Sequence, residues 1–337
     1  MVYHQAMDLV LGIASSAEFW RKRYPLDRAP LPQSLAAPRE CASTKREVLS
    51  LLPDWVDHSI LDSTGGVLHV LDTNATHGRA TKQLHVHKWN GPIPENSFFK
   101  LNDGVYIESP GFMFLQAAHV LDFASLIAFG DELCGCYSFD EREERGFRRR
   151  EKSLTSCGQL ESYLKQAAGC RGQKLALRAL SHMVDGSASP METFDEMTMC
   201  LPYRYGGYGV LKPQMNVCID LSSRAARIAK RAVCYLDMGY IAFMLDIEHH
   251  GKHDHSSLEN IASDRARVNA LKEMGIEVIE LTADQVGDIF AYEYIIQRVC
   301  RILGKRLSKD ALGATPSRLA LRKRVFDWNR SSGMIRS

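Results

Sequence analysis

Short apolar runs separated by polar or glycine positions fill the stretch from Arg231 to Leu281. The first two runs are interrupted at Met238-Gly239, and such a pair of short runs predicts a β-hairpin. A segment with apolar residues at helical spacing follows, and after it comes a β-branched run. The pattern predicts a β-β-α-β unit over residues 231–236, 240–248, 256–274 and 276–281.

The preceding part of the chain shows shorter elements of both kinds. An amphipathic helix is predicted at 7–22, and a helix with an almost wholly apolar surface at 111–129. Three runs bounded by turn residues predict the strands of a small sheet, and two further helices lead towards the β-β-α-β unit. The strands span 66–71, 83–88 and 104–109, and the helices span 157–168 and 171–184.

The length of the chain, 337 residues of which 45% are hydrophobic, suits two domains with cores of their own. Residues 140–152 are nearly all charged, with acids first and bases after, as is typical of a solvated linker. We therefore predict an α+β accessory domain at 1–150, an α/β domain at 151–310 and a basic tail at 311–337. Within the linker, Arg148-Arg149-Arg150 is the cluster suited to contact phosphate.

The net charge of +2 excludes a general polycation, so any contact with nucleic acid must come from local basic patches. The nine cysteines are odd in number and form no C-x-x-C pair, which argues against a disulfide framework and favours the cytoplasm. No apolar run approaches the roughly 20 residues of a membrane-spanning helix, and no signal peptide is visible. A soluble cytoplasmic protein with no membrane partner is expected.

Acidic residues stand where the predicted strands should be apolar. Asp246 and Glu248 are two residues apart, so both carboxylates leave one face of the strand while Ile247 points the other way. Asp237 closes the preceding predicted strand and is expected to lie beside them. Clustered like charges raise one another's pKa unless a cation lies between them. Three carboxylates in this pattern point to Mg²⁺ or Mn²⁺, which prefer oxygen ligands.

The order of these residues resembles the Vsr-like (very short patch repair) branch of the PD-(D/E)XK endonuclease superfamily. The shared pattern is an acid at a strand end, an acid-x-acid pair, a His five residues later, Asp-Arg-x-Arg on a helix and a Gly-Ile-x-Val-Ile strand. The segment Ser-Pro-Met-Glu-Thr upstream resembles the helix start that carries the family's first acid. The match covers roughly 187–285, and the residues on the family's positions are Glu192, Asp237, Asp246, Glu248, His253 and Asp264.

This resemblance implies a restriction-endonuclease-like mixed sheet flanked by helices, preceded by the smaller α+β domain. It implies a metal-dependent DNA endonuclease or nickase with DNA as partner and no cofactor beyond the metal, and it leaves a homodimer open. The implied metal ligands are Asp237, Asp246 and Glu248. The implied catalytic residues are Glu192, Asp237, Glu248, His253 and Asp264, and the expected nucleic-acid contacts are Lys252, Arg265 and Arg267.

The chain departs from the family pattern at two places. It has Asp246-x-Glu248-His249 where the family usually has Glu-x-Asp-Gly, and His250 stands at the position of the superfamily's lysine. These departures favour an alternative, a catalytically silent nucleic-acid-binding regulator of an antiphage or toxin–antitoxin type. A metal-free interaction protein is a third candidate. The segment SPGFMFLQAAHVLDFASLIAFGDELCG resembles an accessory region of uncharacterised actinobacterial proteins with Vsr-like C-termini.

Each candidate residue also has a purely structural interpretation. Ser189-Pro190-x-Glu192 is a capping box by itself. Glu248 is able to pair with Arg265 or Arg267 instead of a metal.

The histidines and the helical aspartate leave alternatives open as well. Asp264 either holds the ring of His253, which would fix its tautomer, or pairs with Arg265 or Arg267 at the surface. The histidines between His249 and His255 offer structural zinc as a further interpretation, although no cysteine pair accompanies them.

Overall fold

The computed structural model describes residues 8–22, 48, 51, 67–73, 82, 84–102, 104–250, 258–307, 312–331, 333 and 335. Within these ranges the chain is mixed α/β, with mixed sheets flanked by helices, and this confirms the predicted fold class at that level. In the described part of the chain no helix is long and apolar enough to span a bilayer.

The elements are numbered in chain order. The strands are β1 (Leu9–Leu11), β2 (Leu68–Asp72), β3 (Leu84–Lys88), β4 (Phe98–Asn102), β5 (Val105–Glu108), β6 (Tyr137–Phe139), β7 (Phe147–Arg149), β8 (Gln214–Asp220), β9 (Val233–Tyr240), β10 (Leu245–His250) and β11 (Glu277–Thr282). The helices are α1 (Ile13–Lys22), α2 (Pro110–Val120), α3 (Phe123–Cys134), α4 (Cys157–Gln166), α5 (Gln173–Leu180), α6 (Pro190–Cys200), α7 (Ser223–Ala229), α8 (Leu258–Glu273), α9 (Ala283–Gly287), α10 (Ile289–Ile302) and α11 (Pro316–Arg330).

The first sheet has the strand order β3-β2-β1-β5-β4. Its strands β2, β3 and β5 fall where the sequence predicts strands, but the helix predicted at 7–22 begins with β1 instead. All three residues of β1 are fully buried between β2 and β5. Gly12 then lets the chain pass close to β2, because a Cβ there would lie 3.0 Å from the carbonyl carbon of Val70.

The apolar stretch predicted as one helix at 111–129 forms two helices, α2 and α3. Leu121 is extended, with φ of −94° and ψ of 145°, and it ends α2. Asp122 then caps α3, since its side chain accepts hydrogen bonds from the backbone N–H groups of Ala124 and Ser125. A capping aspartate inside an apolar pattern is therefore what separates the two helices.

The second sheet has the strand order β11-β10-β9-β8, with β8, β9 and β10 antiparallel and β11 parallel to β10. The predicted hairpin is present, but the predicted break at Met238-Gly239 is wrong, because β9 continues through both residues. The turn is a 3₁₀ turn at Ile241–Phe243, followed by Met244 with φ of 50°. Helix α8 and strand β11 form close to their predicted positions.

The two faces of the second sheet belong to different hydrophobic clusters. Met238 and Ile247 pack in the large core that also contains α6 and α10. Leu236 packs with Leu271 of α8 in a smaller cluster on the other face. The sheet thus lies between α6 and α8, and these two helices are the ones that carry candidate site residues.

The large core contains residues from both sides of the predicted boundary at residue 150, from Val10 to Ile335. The two-domain division itself stays a prediction. Much of the predicted C-terminal tail forms the packed helix α11, whose Phe326 ring lies 4.3 Å from that of Phe194 in α6. Arg318 of α11 is 2% exposed and its guanidinium lies over the ring of Tyr208.

Candidate active site

Glu192 lies in the first turn of α6 and is 2% exposed. Ser189 caps this helix, since its Oγ accepts from the Glu192 backbone N–H at 3.1 Å and donates to Glu192 Oε1 at 3.1 Å. Glu192 Oε2 accepts from the backbone N–H of Ala188 at 2.8 Å and from Asn216 Nδ2 at 2.6 Å. Ser189 is therefore the N-cap, as predicted, but the capping box is incomplete, because Glu192 accepts from the backbone N–H of Ala188 and not from that of Ser189. The glutamate is also held by Asn216 of β8.

Asp237 lies inside β9, so its predicted position at a strand end is wrong. The strand is nevertheless irregular there, because Leu236 and Met238 pack on different faces although residues two apart normally share one. The facing residue Asn216 has φ of 48°. The ladder between β9 and β10 also ends at the pair Met238–Ile247. Asp237 therefore sits where the two strands begin to separate.

This position lets Asp237 interact with charged groups from three elements. Its charge acts on Glu192 of α6, on Asp246 and His249 of β10 and on Arg267 of α8. Asp237 is thus the residue that connects the candidate side chains on both faces of the sheet.

Asp246 and Glu248 leave the same face of β10, as their spacing predicts, and both are 0% exposed. Asp246 Oδ1 accepts from the Met238 backbone N–H at 3.3 Å, and its Oδ2 is buried without a hydrogen-bond partner. Burial, together with the charges of Glu248 and Asp237, raises the pKa of Asp246 to about 9. Such a carboxyl holds a proton at neutral pH unless a cation replaces it.

The pKa of Glu192 is also raised, but less than that of Asp246. Burial and the charge of Asp237 raise its pKa to about 7, while the hydrogen bonds from Ala188 and Asn216 act in the opposite direction. Its proton occupancy is therefore sensitive to any change in charge at Asp237.

Arg267 of α8 forms an ion pair with Glu248, with 2.6 Å between Nη2 and Oε2. The Glu248 side chain is 0% exposed and that of Arg267 only 16% exposed. This is one of the two interpretations that the sequence left open for Glu248. The pair places a cation next to the carboxylates, and a nucleic-acid contact by Arg267 stays a prediction.

His249 belongs to the same site, although the sequence analysis did not select it. Its Nδ1 lies 2.7 Å from Oδ2 of Asp195 in α6, and Asp195 is 0% exposed. Tyr292 donates to Oδ1 of the same aspartate at 3.3 Å. Burial by itself would lower the pKa of His249, but the hydrogen bond to Asp195 and the charges of Asp195, Glu192 and Asp237 raise it.

A helical signal was available for Asp195, because it stands three residues after Glu192 and therefore on the same side of α6. No such signal existed for His249, since alternation places it opposite Asp246 and Glu248.

The remaining predicted residues divide into two groups. His253 and Lys252 lie outside the described residues. Asp264 and Arg265 lie on α8, the first half-buried and the second exposed. Their predicted roles stay predictions.

In the described part of the chain, the group of three metal-ligating side chains whose ligand atoms all lie within 4.8 Å of one another is Cys134, Cys157 and Asp185, none of which is a predicted site residue. The predicted ligands Asp237, Asp246 and Glu248 do not form so tight a group in this arrangement.

Compared with protein-family models, with curated proteins and with solved structures, the chain matches none of them at the threshold applied. This result neither supports nor contradicts the Vsr-like resemblance.

Proposed function

We propose that the chain is a metal-dependent endonuclease or nickase of the Vsr-like type, acting on the phosphodiester bonds of DNA. The observation that carries the proposal is the electrostatic interaction of Asp237, at the point where β9 and β10 separate, with Glu192, Asp246 and the carboxylate-bound His249. The mixed order β11-β10-β9-β8, with helices on both faces, is consistent with the restriction-endonuclease-like arrangement that the resemblance implies.

The donor set suits a hard divalent ion. Asp237 and Asp246 would hold Mg²⁺ or Mn²⁺ through carboxylate oxygens, and Glu192 lies within the electrostatic range of Asp237. Glu248 would join them only after its ion pair with Arg267 opens. The raised pKa of Asp246 supports this fit, because a cation would remove the repulsion and burial cost that keep the group protonated.

The roles of the side chains follow from their contacts. A bound divalent ion supplies an acidified water and neutralises charge that develops on the phosphate. His249 is suited to proton transfer, since Asp195 holds Nδ1 and leaves Nε2 for a water or a leaving oxygen. Glu192 is held on two sides by Ala188 and Asn216, and it would orient a water.

A basic side chain from the first half of the chain also lies near the site. Arg149 at the end of β7 is exposed, and its charge acts on Glu192. Its neighbours are engaged elsewhere: Arg148 donates to the carbonyl of Arg21, and Arg150 to that of Gly135 at 2.9 Å. Arg149 is therefore the member of this cluster that we assign to a phosphate contact.

The alternative function, a catalytically silent nucleic-acid binder, is favoured by one observation. The Glu248–Arg267 ion pair already neutralises one predicted metal ligand, and both side chains are largely buried. A chain that keeps this pair closed would bind nucleic acid without cutting it.

The two functions are separated by incubating the full-length protein with supercoiled plasmid and Mg²⁺ or Mn²⁺, with a chelator as control. We expect nicked or linear product with the metal, and loss of cleavage by at least about 100-fold in Asp246→Asn, because a metal ligand is removed. Arg149→Ala should weaken binding to a labelled duplex and make it less salt-dependent.

Glu277→Gln is the matched control, because Glu277 lies on the neighbouring strand β11 in an exposed ion pair with Arg298. It should cleave like the wild type. If the protein binds the duplex without metal and does not cleave it, the silent nucleic-acid binder replaces the endonuclease as the function. If the protein neither binds nor cleaves DNA, both proposed functions are wrong.

A further inference from the structure

Two thiols and a carboxylate meet between α3, α4 and the loop before α6. The Sγ atoms of Cys134 and Cys157 and a carboxylate oxygen of Asp185 all lie within 4.8 Å of one another. Cys134 is the last residue of α3, Cys157 is the first of α4, and Asp185 lies five residues before α6 begins at Pro190.

Hydrogen bonds hold these three segments together, and two of them join backbone groups only. The Cys157 backbone N–H donates to Asp185 Oδ1 at 2.7 Å. Gly186 N–H donates to the Cys134 carbonyl at 3.1 Å, and Leu154 N–H donates to the Leu133 carbonyl at 3.1 Å. The ligand positions are therefore fixed by the fold and do not depend on flexible side chains alone.

The surroundings favour a cation and allow it to enter. Cys134 is 1% exposed, whereas Asp185 is exposed, so the group reaches from the core to solvent. Asp131 lies one helical turn before Cys134, is 0% exposed and acts electrostatically on both Cys134 and Asp185. Its Oδ1 accepts from Val184 N–H at 3.0 Å, and its Oδ2 is buried without a hydrogen-bond partner.

We propose that Cys134, Cys157 and Asp185 bind a zinc ion, with the fourth tetrahedral position taken by water. Two thiolates select a soft or borderline ion such as Zn²⁺ over Mg²⁺, and a carboxylate is an accepted third ligand. The ion would tie the loop that leads into α6 to α3 and α4. The site shares no residue with the proposed endonuclease centre and does not depend on that function.

The test uses the metal-depleted full-length protein in reducing buffer, titrated with Zn²⁺ alone against a chromogenic chelator. We expect one zinc per chain and a higher melting temperature with zinc, because an ion that binds only the folded state stabilises it. Co²⁺ in place of Zn²⁺ should give a thiolate charge-transfer band. Cys157→Ser should weaken zinc binding by more than about 100-fold, the upper range for losing even an outer partner of a ligand.

Two variants serve as controls. Cys218→Ser removes an exposed thiol on β8, and Asp246→Asn changes the other candidate site, so both should keep the zinc. If Cys134→Ala fails to fold, Cys157→Ser and Asp185→Asn carry the test.

Unchanged zinc affinity in Cys157→Ser would overturn the proposal, as would substoichiometric zinc in the wild type. A Cys134–Cys157 disulfide that forms in air, found by a mass lower by two hydrogens and without a cobalt band in the reduced protein, would also overturn it.

Discussion

At the scale of single residues, the neighbours of each buried acid decide its chemistry. Glu248 has Arg267 as a counter-ion, and Asp195 has His249. Burial and the repulsion of Glu248 and Asp237 raise the pKa of Asp246 to about 9, although Arg267 also lies within its electrostatic range. Because a buried carboxylate must be neutralised by a proton or by a cation, Asp246 gains most from an added metal ion.

His249 and Asp195 are predicted to act as a unit. His249→Ala should lower metal-dependent DNA cleavage by about 100-fold or more, the usual contribution of a general acid or base. Asp195→Asn should cost less, and the double variant should lose little beyond His249→Ala, because residues that act together are non-additive. Single-turnover cleavage rates of the full-length variants provide the measurement.

His182→Ala is the control, since His182 is half-buried and packs against Phe123 and Tyr205 away from the site. The same assay on His253→Ala compares the histidine that the sequence selected with the one that the structure places beside Asp195. Wild-type rates in His249→Ala with a large loss in His253→Ala would contradict the assignment of His249.

At the scale of elements, α6 supplies acids to two separate groups. Glu192 and Asp195 face Asp237 and His249. Glu196, one residue on, instead acts on Asp131 of α3 and is influenced by Lys212. All three acids are at most 2% exposed, so the helix is buried on several sides and its position determines both groups.

The cap of α6 should therefore matter for activity as well as for stability. Ser189→Ala removes a cap, which typically costs about 1 kcal/mol of unfolding free energy, and it also removes the contact to Glu192 Oε1. Ser222→Ala removes the corresponding cap of α7, where Ser222 Oγ accepts from Ala225 N–H at 3.2 Å. Urea unfolding should show similar losses for both, and cleavage assays should show a loss for Ser189→Ala alone. If the two variants cleave DNA at the same rate, the Ser189 cap has no role in activity beyond its effect on stability.

At the scale of the whole molecule, one buried arginine connects distant parts of the chain. Arg21 of α1 is 3% exposed and forms two hydrogen bonds with Glu132 of α3, at 2.8 and 2.7 Å. It also binds Glu18 at 2.7 Å and the carbonyl of Gly333 at 2.9 Å. The beginning and the end of the described chain therefore meet at one side chain.

Arg21→Met should lower the unfolding free energy by about 3–5 kcal/mol, because it leaves the Glu132 carboxylate buried without its counter-ion. The double variant Arg21→Met/Glu132→Leu should be more stable than Arg21→Met, since no uncompensated charge then remains at Glu132. Chemical denaturation of both variants measures this.

Lys165→Met is the control for this ion pair. It removes an exposed partner of Glu161 and should change stability by less than about 1 kcal/mol. A double variant less stable than Arg21→Met would show that packing around Arg21, and not its charge, is what matters.

The predicted elements are most accurate where the hydrophobic periodicity is strong, because neighbours along the chain then suffice to determine the local structure. Helix α8, strand β11 and the hairpin of β9 and β10 all appear. The predictions are wrong where a single residue or a strand distant in sequence determines the structure. Asp122 divides the apolar stretch into α2 and α3, and β1 forms because β2 and β5 lie on either side of it.

The sequence by itself determined that Asp246 and Glu248 share a face, because side chains alternate along any strand, and that Ser189 begins the helix bearing Glu192. Only the tertiary structure decided which partners they have. Arg267 of α8 reaches Glu248, and Asp195 of α6 contacts His249 just beyond the last residue pair of the β9–β10 ladder. Local patterns are set by neighbours along the chain, whereas charge pairing depends on which elements pack together, and that depends on the whole core.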